Sequence, residues 1–500
     1  MVPMKTIKGL KVTTAPSGAT VSRMRIGGRW EEGGSGEFLE VTSPATGAVV
    51  GFVPLGTRTD AQRAIAAAQA AKLKIAGLSV WERSKLCFAV ADAIEKRKEA
   101  LARTLCLEQG KPYHAEALGE AGAAVAAFRN AGEQIKWLET ACFPVEDRNK
   151  RAFSFLQPKG VFGIVTPWNF PLALPSIYYL APGLATGNAM VWVPAPTTSI
   201  IAEKLMECLI EAGVPDGVVN LVIGDGPEVG DEVVSNPGTD AIAFTGSSET
   251  GRIIASRGAG KPLMVELGGN GPTIVLADAD LDTAAARAAA GCFANAGQIC
   301  TSTERILVAD AVHDAFVEKL VAAARAVRMG DPFDPATTMG PLNNEPNAQK
   351  VDAHLADARQ RGASILFGGG RAEGLATRLY YQPTVIADLS PDSLLNVDET
   401  FGPVVPVLRF RDEEEAHRIV SKSRLGLSAA VFTQTIRHAF RWAEALKVGI
   451  VNVNEMSPYW ETHIPAGGAA GTSSGIGRTG GRHTLLEMSD LKTVTIDISR

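Results

Sequence analysis

Between Gly160 and Thr433 the chain alternates short apolar runs with stretches of helical period, and this order limits the fold more than any other feature. Gly160–Thr166, Ala189–Val193, Val218–Ile223 and Ala241–Phe244 are expected as strands, separated by helices over Ser176–Leu184, Ser199–Ala212 and Glu249–Ser256. A strand–helix–strand–helix order predicts a parallel, doubly wound sheet. A second alternation follows. Thr273–Leu276, Arg305–Val308, Ala363–Phe367 and Ala429–Thr433 are its strands, and Leu281–Ala290, Val312–Arg328 and Glu413–Ser423 its helices. Between the two lies Gly268-Gly269-Asn270-Gly271-Pro272, which can continue neither a helix nor a strand, so two α/β domains are expected to meet there. Five hundred residues is too long for a single core and agrees with that division. Upstream, Arg25–Val53 reads as short strands around turns. Thr59 or Asp60 is positioned to cap a helix over Ala61–Lys72, and Val80–Glu108 continues the helical pattern.

A net charge of −5 gives no reason to expect nucleic acid or an anionic membrane as partner. The six cysteines form no CxxC and no metal-finger spacing, and none of the seven histidines forms an HxxxH pair, so no metal is expected. Scattered cysteines without a secretory signal fit a reducing cytosol, and the apolar stretches are too short or too polar at their flanks to span a bilayer. Met1–Arg25 carries Lys5, Lys8, Lys11, Arg23 and Arg25 with no acid, and reads as a solvated tail.

Three segments carry chemistry. Cys300, in Ala296-Gly297-Gln298-Ile299-Cys300-Thr301, follows a point where a helix has to end, whereas Cys292 on that helix reads as a buried, inert thiol. Glu266 ends the apolar run Leu263-Met264-Val265, which suggests an inward carboxylate. Asn169, in Thr166-Pro167-Trp168-Asn169-Phe170-Pro171, supplies an amide donor. A thiolate is the best side-chain nucleophile for a carbonyl carbon, a carboxylate can activate water, and an amide can face an oxyanion. Two glycine-bearing turns are suited to phosphate. Gly224-Asp225-Gly226-Pro227-Glu228-Val229-Gly230 departs by one spacing from the dinucleotide fingerprint and could equally be a tight loop. In Phe244-Thr245-Gly246-Ser247-Ser248-Glu249 a strand runs directly into a helix.

These segments resemble those of the aldehyde dehydrogenase superfamily, and the similarity runs from about Arg25 to Val494. The resemblance implies an aldehyde oxidised to a carboxylic acid with NAD or NADP, through a covalent adduct on Cys300. Asn169 would hold the oxyanion with the Cys300 backbone N–H, and Glu266 would activate water. Thr166, Trp168, Gly226, Gly230, Gly246, Ser247, Leu267, Glu399 and Phe401 would bind the cofactor. Leu174, Ile177, Tyr178, Thr301, Thr303, Tyr459, Trp460 and His463 are candidates to line the substrate pocket, their aromatic rings favouring an apolar or aromatic aldehyde. The implied architecture is a Rossmann-like cofactor domain (25–139 and 160–268), a second α/β catalytic domain (269–470), an arm for homodimers or homotetramers (140–159 and 482–500) and a tail (1–24). Where the family usually has Lys-Pro-Ser-Glu for the adenosine ribose, this chain has Val193-Pro194-Ala195-Pro196. Losing the carboxylate removes repulsion against a 2′-phosphate, and losing the lysine removes attraction, so poor discrimination between NAD and NADP is expected. Asn270-Gly271 replaces the more usual Lys-Ser, and Ile464-Pro465-Ala466-Gly467-Gly468 has Ala466 for Phe, which bears on substrate choice. Two rival readings are an acylating enzyme that passes its thioester to coenzyme A, and a catalytically silent relative with a structural or binding role.

Overall fold

The computed structural model describes residues 4–8, 10 and 19–499. Two large sheets organise them. In the first, Leu263–Glu266, Ala241–Thr245, Val161–Thr166, Ala189–Pro194 and Val219–Leu221 lie side by side and parallel. Antiparallel edges are added by Gly475–Ile476 on one side and by Met24–Ile26 with Arg29–Glu31 on the other. In the second, Thr384–Ala387, Val404–Phe410, Arg305–Ala309, Pro272–Val275, Ser428–Phe432 and Ile450–Val453 run parallel, with Ser364–Phe367 antiparallel at the edge. The central strands are buried on both faces and therefore read as unbroken apolar runs rather than as alternating ones. Each sheet has its own apolar core, one built around Trp192, Phe128 and Phe162, the other around Phe316, Phe432 and Trp442. Among the described residues no helix is long and apolar enough to cross a membrane.

The doubly wound reading is met, with differences that have local causes. The helix Arg58–Ala76 is capped by Thr57 instead of Thr59 or Asp60. Asp60 is the third helical residue and returns a carboxylate to the Thr57 N–H at 2.9 Å, which completes a capping box. The helical stretch after Val80 breaks at Arg97 into Val80–Lys96 and Lys98–Glu108. Ser176–Leu180 forms a wide turn before the helix Ala181–Thr186, because Pro182 has no N–H to return to the preceding turn. Ser364–Phe367 pairs antiparallel at an edge, not within the parallel ladder. Part of the expected tail is ordered: Thr6–Lys8 pairs with Glu37–Leu39 and Thr20–Val21 with Gly51–Phe52, where open sheet edges accept them. The rest of that tail lies outside the described residues.

Lys150–Pro158 and Ser489–Asp497 form a long antiparallel ribbon, extended by Cys142–Phe143, and Leu491, Phe143 and Ile496 on it are exposed.

The chain passes from one large sheet to the other through Gly268–Gly271, beside the backbone of Cys300–Ser302. A Cβ at Gly269 would lie 2.2 Å from the Cys300 carbonyl oxygen, and one at Gly271 would lie 2.0 Å from that of Ser302. Only glycine admits so close an approach. Gly269→Ala is expected to cost about 1–3 kcal/mol or more, since backbone must move to relieve the overlap. Denaturant unfolding against wild type measures it, with Gly36→Ala, where a Cβ meets open space at positive φ, as control for conformational cost alone.

Candidate active site

Cys300 follows a turn that the chain enters at the end of the helix Leu281–Phe293. Asn295, Ala296 and Gly297 have φ of 49°, 53° and 75°, all left-handed. A run of three, two of them non-glycine, is held only by strong external contacts. Glu116 accepts the Asn295 N–H at 2.7 Å. Gln109 donates to the Asn295 side-chain oxygen at 3.0 Å, and the Asn295 amide donates to the carbonyls of Asn169 and Gln298, both at 3.1 Å. The Cys300 turn and the Asn169 loop are thus tied directly together.

The Asn169 loop has its own anchor. Glu120, on the helix Leu118–Gln134, accepts the backbone N–H groups of Leu172 and Ala173 at 3.0 and 3.1 Å and pairs with Lys111, both side chains being buried. The Lys111 ammonium lies 3.5 Å from the centre of the Phe170 ring. Asn169 is buried and spends one side-chain N–H on the Gln298 carbonyl at 3.1 Å, leaving its second for another acceptor.

Cys300 is partly exposed to a cavity of about 160 Å³ that Trp168, Asn169, Gly246, Ser247, Leu267, Glu399 and Phe401 also line. Burial, with the carboxylates of Glu266 and Glu399, pushes its thiol up to about 12, against a smaller opposing pull from the Cys300 and Thr301 backbone amides. Burial outweighs the pull of those amides toward the anion. Glu266 is buried at the end of its strand, and burial raises its carboxyl to about 8 despite the opposing Arg478 charge and Thr479 hydroxyl.

Glu399 accepts the Gly269 N–H at 3.2 Å. Its neighbours Thr400 and Phe401 are held by Glu304, whose carboxylate accepts both backbone N–H groups at 2.7 Å. Phe401 sits at φ 57° and meets Trp168 edge to face at 5.6 Å. A second cavity, of about 650 Å³, lies between Gly226–Ser235 and the helix Ser248–Arg257, with Val165, Val234, Ile253 and Ile254 as apolar walls. Gly226 and Gly230 line it. Glu249 is exposed at the helix start, as a residue complementing the dipole should be. Ser247 caps this helix through the Thr250 N–H, and the Thr166 hydroxyl accepts from Trp192, so neither hydroxyl is idle.

The expected substrate residues divide. Tyr178 lies close enough to Cys300 and Glu266 for both to act on its hydroxyl, and its ring meets Trp460 edge to face at 5.6 Å. Trp460 is fixed by a 2.8 Å bond to the Ile464 carbonyl. Thr301 is half-buried beside the thiol and Leu174 is buried. Thr303 is not on the cavity: it is fully buried, its hydroxyl within 2.7 Å of where a Cβ on Gly291 would stand. Ile177 faces Thr462 and Leu485 instead. Tyr459 and His463 turn to solvent, each beside Glu461. Alternating side-chain directions in a loop leave no signal for such distinctions. Glu116, Glu120, Glu304 and Thr479 were not foreseen, being single polar residues in segments without a motif.

A family model described as "Aldehyde dehydrogenase family" matches residues 30–494. The chain is 37% identical to a mitochondrial succinate-semialdehyde dehydrogenase of Arabidopsis thaliana, over 97% of this chain and 91% of that protein. It is also 37% identical to the NADP(+) succinate-semialdehyde dehydrogenase of Escherichia coli, covering 95% and 97%. Among solved structures, an NAD-dependent aldehyde dehydrogenase from Sinorhizobium meliloti superposes with a TM-score of 0.93 at 36% identity, covering 96% of each chain. A succinate-semialdehyde dehydrogenase from Burkholderia pseudomallei does so at 0.93 and 37%, covering 97% and 99%.

Glu120→Ala would strand the Lys111 charge and two loop N–H groups in the interior, an expected loss of about 3–5 kcal/mol. Urea unfolding monitored by tryptophan fluorescence measures it, and Glu120→Gln is expected to recover part of the loss by keeping an acceptor.

Proposed function

This chain belongs to the aldehyde dehydrogenase family, and from that premise we propose that it oxidises an aldehyde to a carboxylic acid with NAD or NADP, using Cys300 as nucleophile and Glu266 as general base. The observation that carries this reading is convergence: Glu266 ends a strand of one sheet, Cys300 follows the helix Leu281–Phe293, and the cavity onto which Cys300 opens is also lined by Asn169 and by Leu267, the residue next to Glu266.

The residues present fit a dinucleotide. The larger cavity offers apolar walls to a planar base, with Ile253 left 57% exposed there. The start of the helix Ser248–Arg257 presents N–H groups to a phosphate, and Glu399 with Phe401 frames the smaller cavity at Cys300. When bound, the nicotinamide accepts a hydride and brings a positive charge.

Glu266 draws a proton from the Cys300 thiol, and the sulfur bonds to the aldehyde carbon. The free Asn169 N–H and the Cys300 backbone N–H hold the resulting oxyanion, each such donor being worth about 10²–10³ in rate. Once hydride has left that carbon, the chain carries a thioester. Having released the thiol proton to solvent, Glu266 takes a proton from water as it attacks, the C–S bond breaks with its electrons returning to sulfur, and the acid departs. A base must be ionised to act, so a Glu266 carboxyl near 8 predicts kcat rising with pH through that region. Water as acceptor distinguishes this reading from the acylating one, and product analysis with coenzyme A added separates them.

The Tyr178–Trp460 pair supports an apolar or aromatic substrate. The exposed ribbon supports pairing with a second copy of this chain, because an uncovered edge with Leu491, Phe143 and Ile496 invites one. Free cysteines support a cytoplasmic location.

Two outcomes are expected. Cys300→Ala abolishes turnover, whereas Glu266→Gln loses about 10²–10⁴ of kcat, read as reduced-cofactor absorbance; turnover by Cys300→Ala would refute the assignment. In steady-state kinetics over short aliphatic, semialdehyde and aromatic aldehydes, aromatic substrates give the highest kcat/KM. In the same assays NAD and NADP differ by less than about a thousand-fold, since the buried Val193 side chain and Pro196 offer neither a charge nor a hydrogen bond, each worth about 1.5–3 kcal/mol.

A further inference from the structure

Glu266 receives, among the described residues, one side-chain hydrogen bond. It comes from the Thr479 hydroxyl at 3.5 Å, the outer edge of hydrogen-bond reach. Thr479 is 1% exposed and cannot drift, because its N–H donates to the Ala466 carbonyl at 2.9 Å and its carbonyl accepts from Ala466 at 2.8 Å.

The surroundings leave Glu266 little else to lean on. A Cβ at Gly467 would stand 3.1 Å from its Oε1, so this loop packs directly on the carboxyl. The Arg478 guanidinium, also nearby, spends Nη1 on the carbonyls of Gly468 and Gly477 at 2.6 and 3.1 Å. A base with one anchor takes its direction from that anchor.

We propose that Thr479 is a positioning residue for the hydrolytic step, its hydroxyl aiming the Glu266 carboxylate at the Cys300 thioester. The inference rests on the reading of Glu266 as general base. In the step itself water gives its proton to Glu266 and its oxygen to the carbonyl carbon, while the C–S electrons return to sulfur. Thr479 donates a hydrogen bond throughout and is neither oxidised nor deprotonated. Its donation favours the ionised base, so removing it moves the acid limb of the pH–rate profile to higher pH.

Thr479→Val preserves shape and removes the hydroxyl, and Thr479→Ser restores it. With benzaldehyde and propionaldehyde as probes, Thr479→Val is expected to lower kcat about ten- to hundred-fold with little change in the aldehyde KM. The acid limb shifts upward in pH. A rapid burst of one reduced cofactor per active site appears, because hydrolysis has become slower than hydride transfer. Thr479→Ser recovers most of kcat and the wild-type profile. Wild-type kcat, profile and burst in Thr479→Val would overturn the proposal, as would a Thr479→Ser variant as impaired as Thr479→Val. Full activity in Cys300→Ala or Glu266→Gln would instead remove the reading beneath it, so the two failures are distinguishable.

Discussion

The passage of the Gly268–Gly271 backbone against Cys300–Ser302 is the constraint on which the rest of the site depends. It brings the end of one sheet and the start of the other to the same place, with main chain touching main chain. Side chains on this path would hold the sheets apart by the thickness of a Cβ. Gly269 also offers its N–H to Glu399, so one segment both spaces the Cys300 turn and fixes the Glu399 carboxylate. Glu266, Cys300 and the Glu399 loop are therefore set by one stretch of backbone in which only Asn270 carries a side chain.

Around this seam the structure uses buried carboxylates as clamps. Glu120 takes the two N–H groups after the Asn169 loop, Glu116 the first N–H of the left-handed turn, and Glu304 the two beside Glu399. Each anchors an irregular segment that has no helix or sheet partner for its main chain. Burial makes such groups costly: Glu304 is raised to about 8 by burial and by the Glu399 charge, and Glu116 to about 7 by burial. One Glu116 oxygen has no hydrogen-bond partner among the described residues. The cost is tolerable because the alternative is several orphaned backbone donors per loop.

The fold was largely legible because strands buried on both faces announce themselves as apolar runs, as Ala189–Pro194 and Ala241–Thr245 do. Two buried apolar strands, Thr384–Ala387 and Val404–Phe410, escaped despite that signal; other misses were short of it, as with the Ala- and Gly-rich helix Leu118–Gln134, or governed by backbone chemistry that a pattern does not carry, as at Pro182. The site divides the same way. Cys300, Glu266 and Asn169 stand in long, distinctive segments. Glu120 and Thr479 act through one or two contacts with partners 52 and 213 residues away, and no local spacing encodes such a meeting. Thr303 was misplaced for a related reason, since proximity in sequence to Cys300 does not say which way a loop side chain turns.

The elevated thiol of Cys300 has a consequence for the protein at rest. Peroxides and electrophiles attack sulfur as its anion, and a group flanked by two acids and largely withdrawn from solvent presents very little of that form. The sulfur is thereby held as the thiol, and the burial that raises it also shields it from oxidative damage.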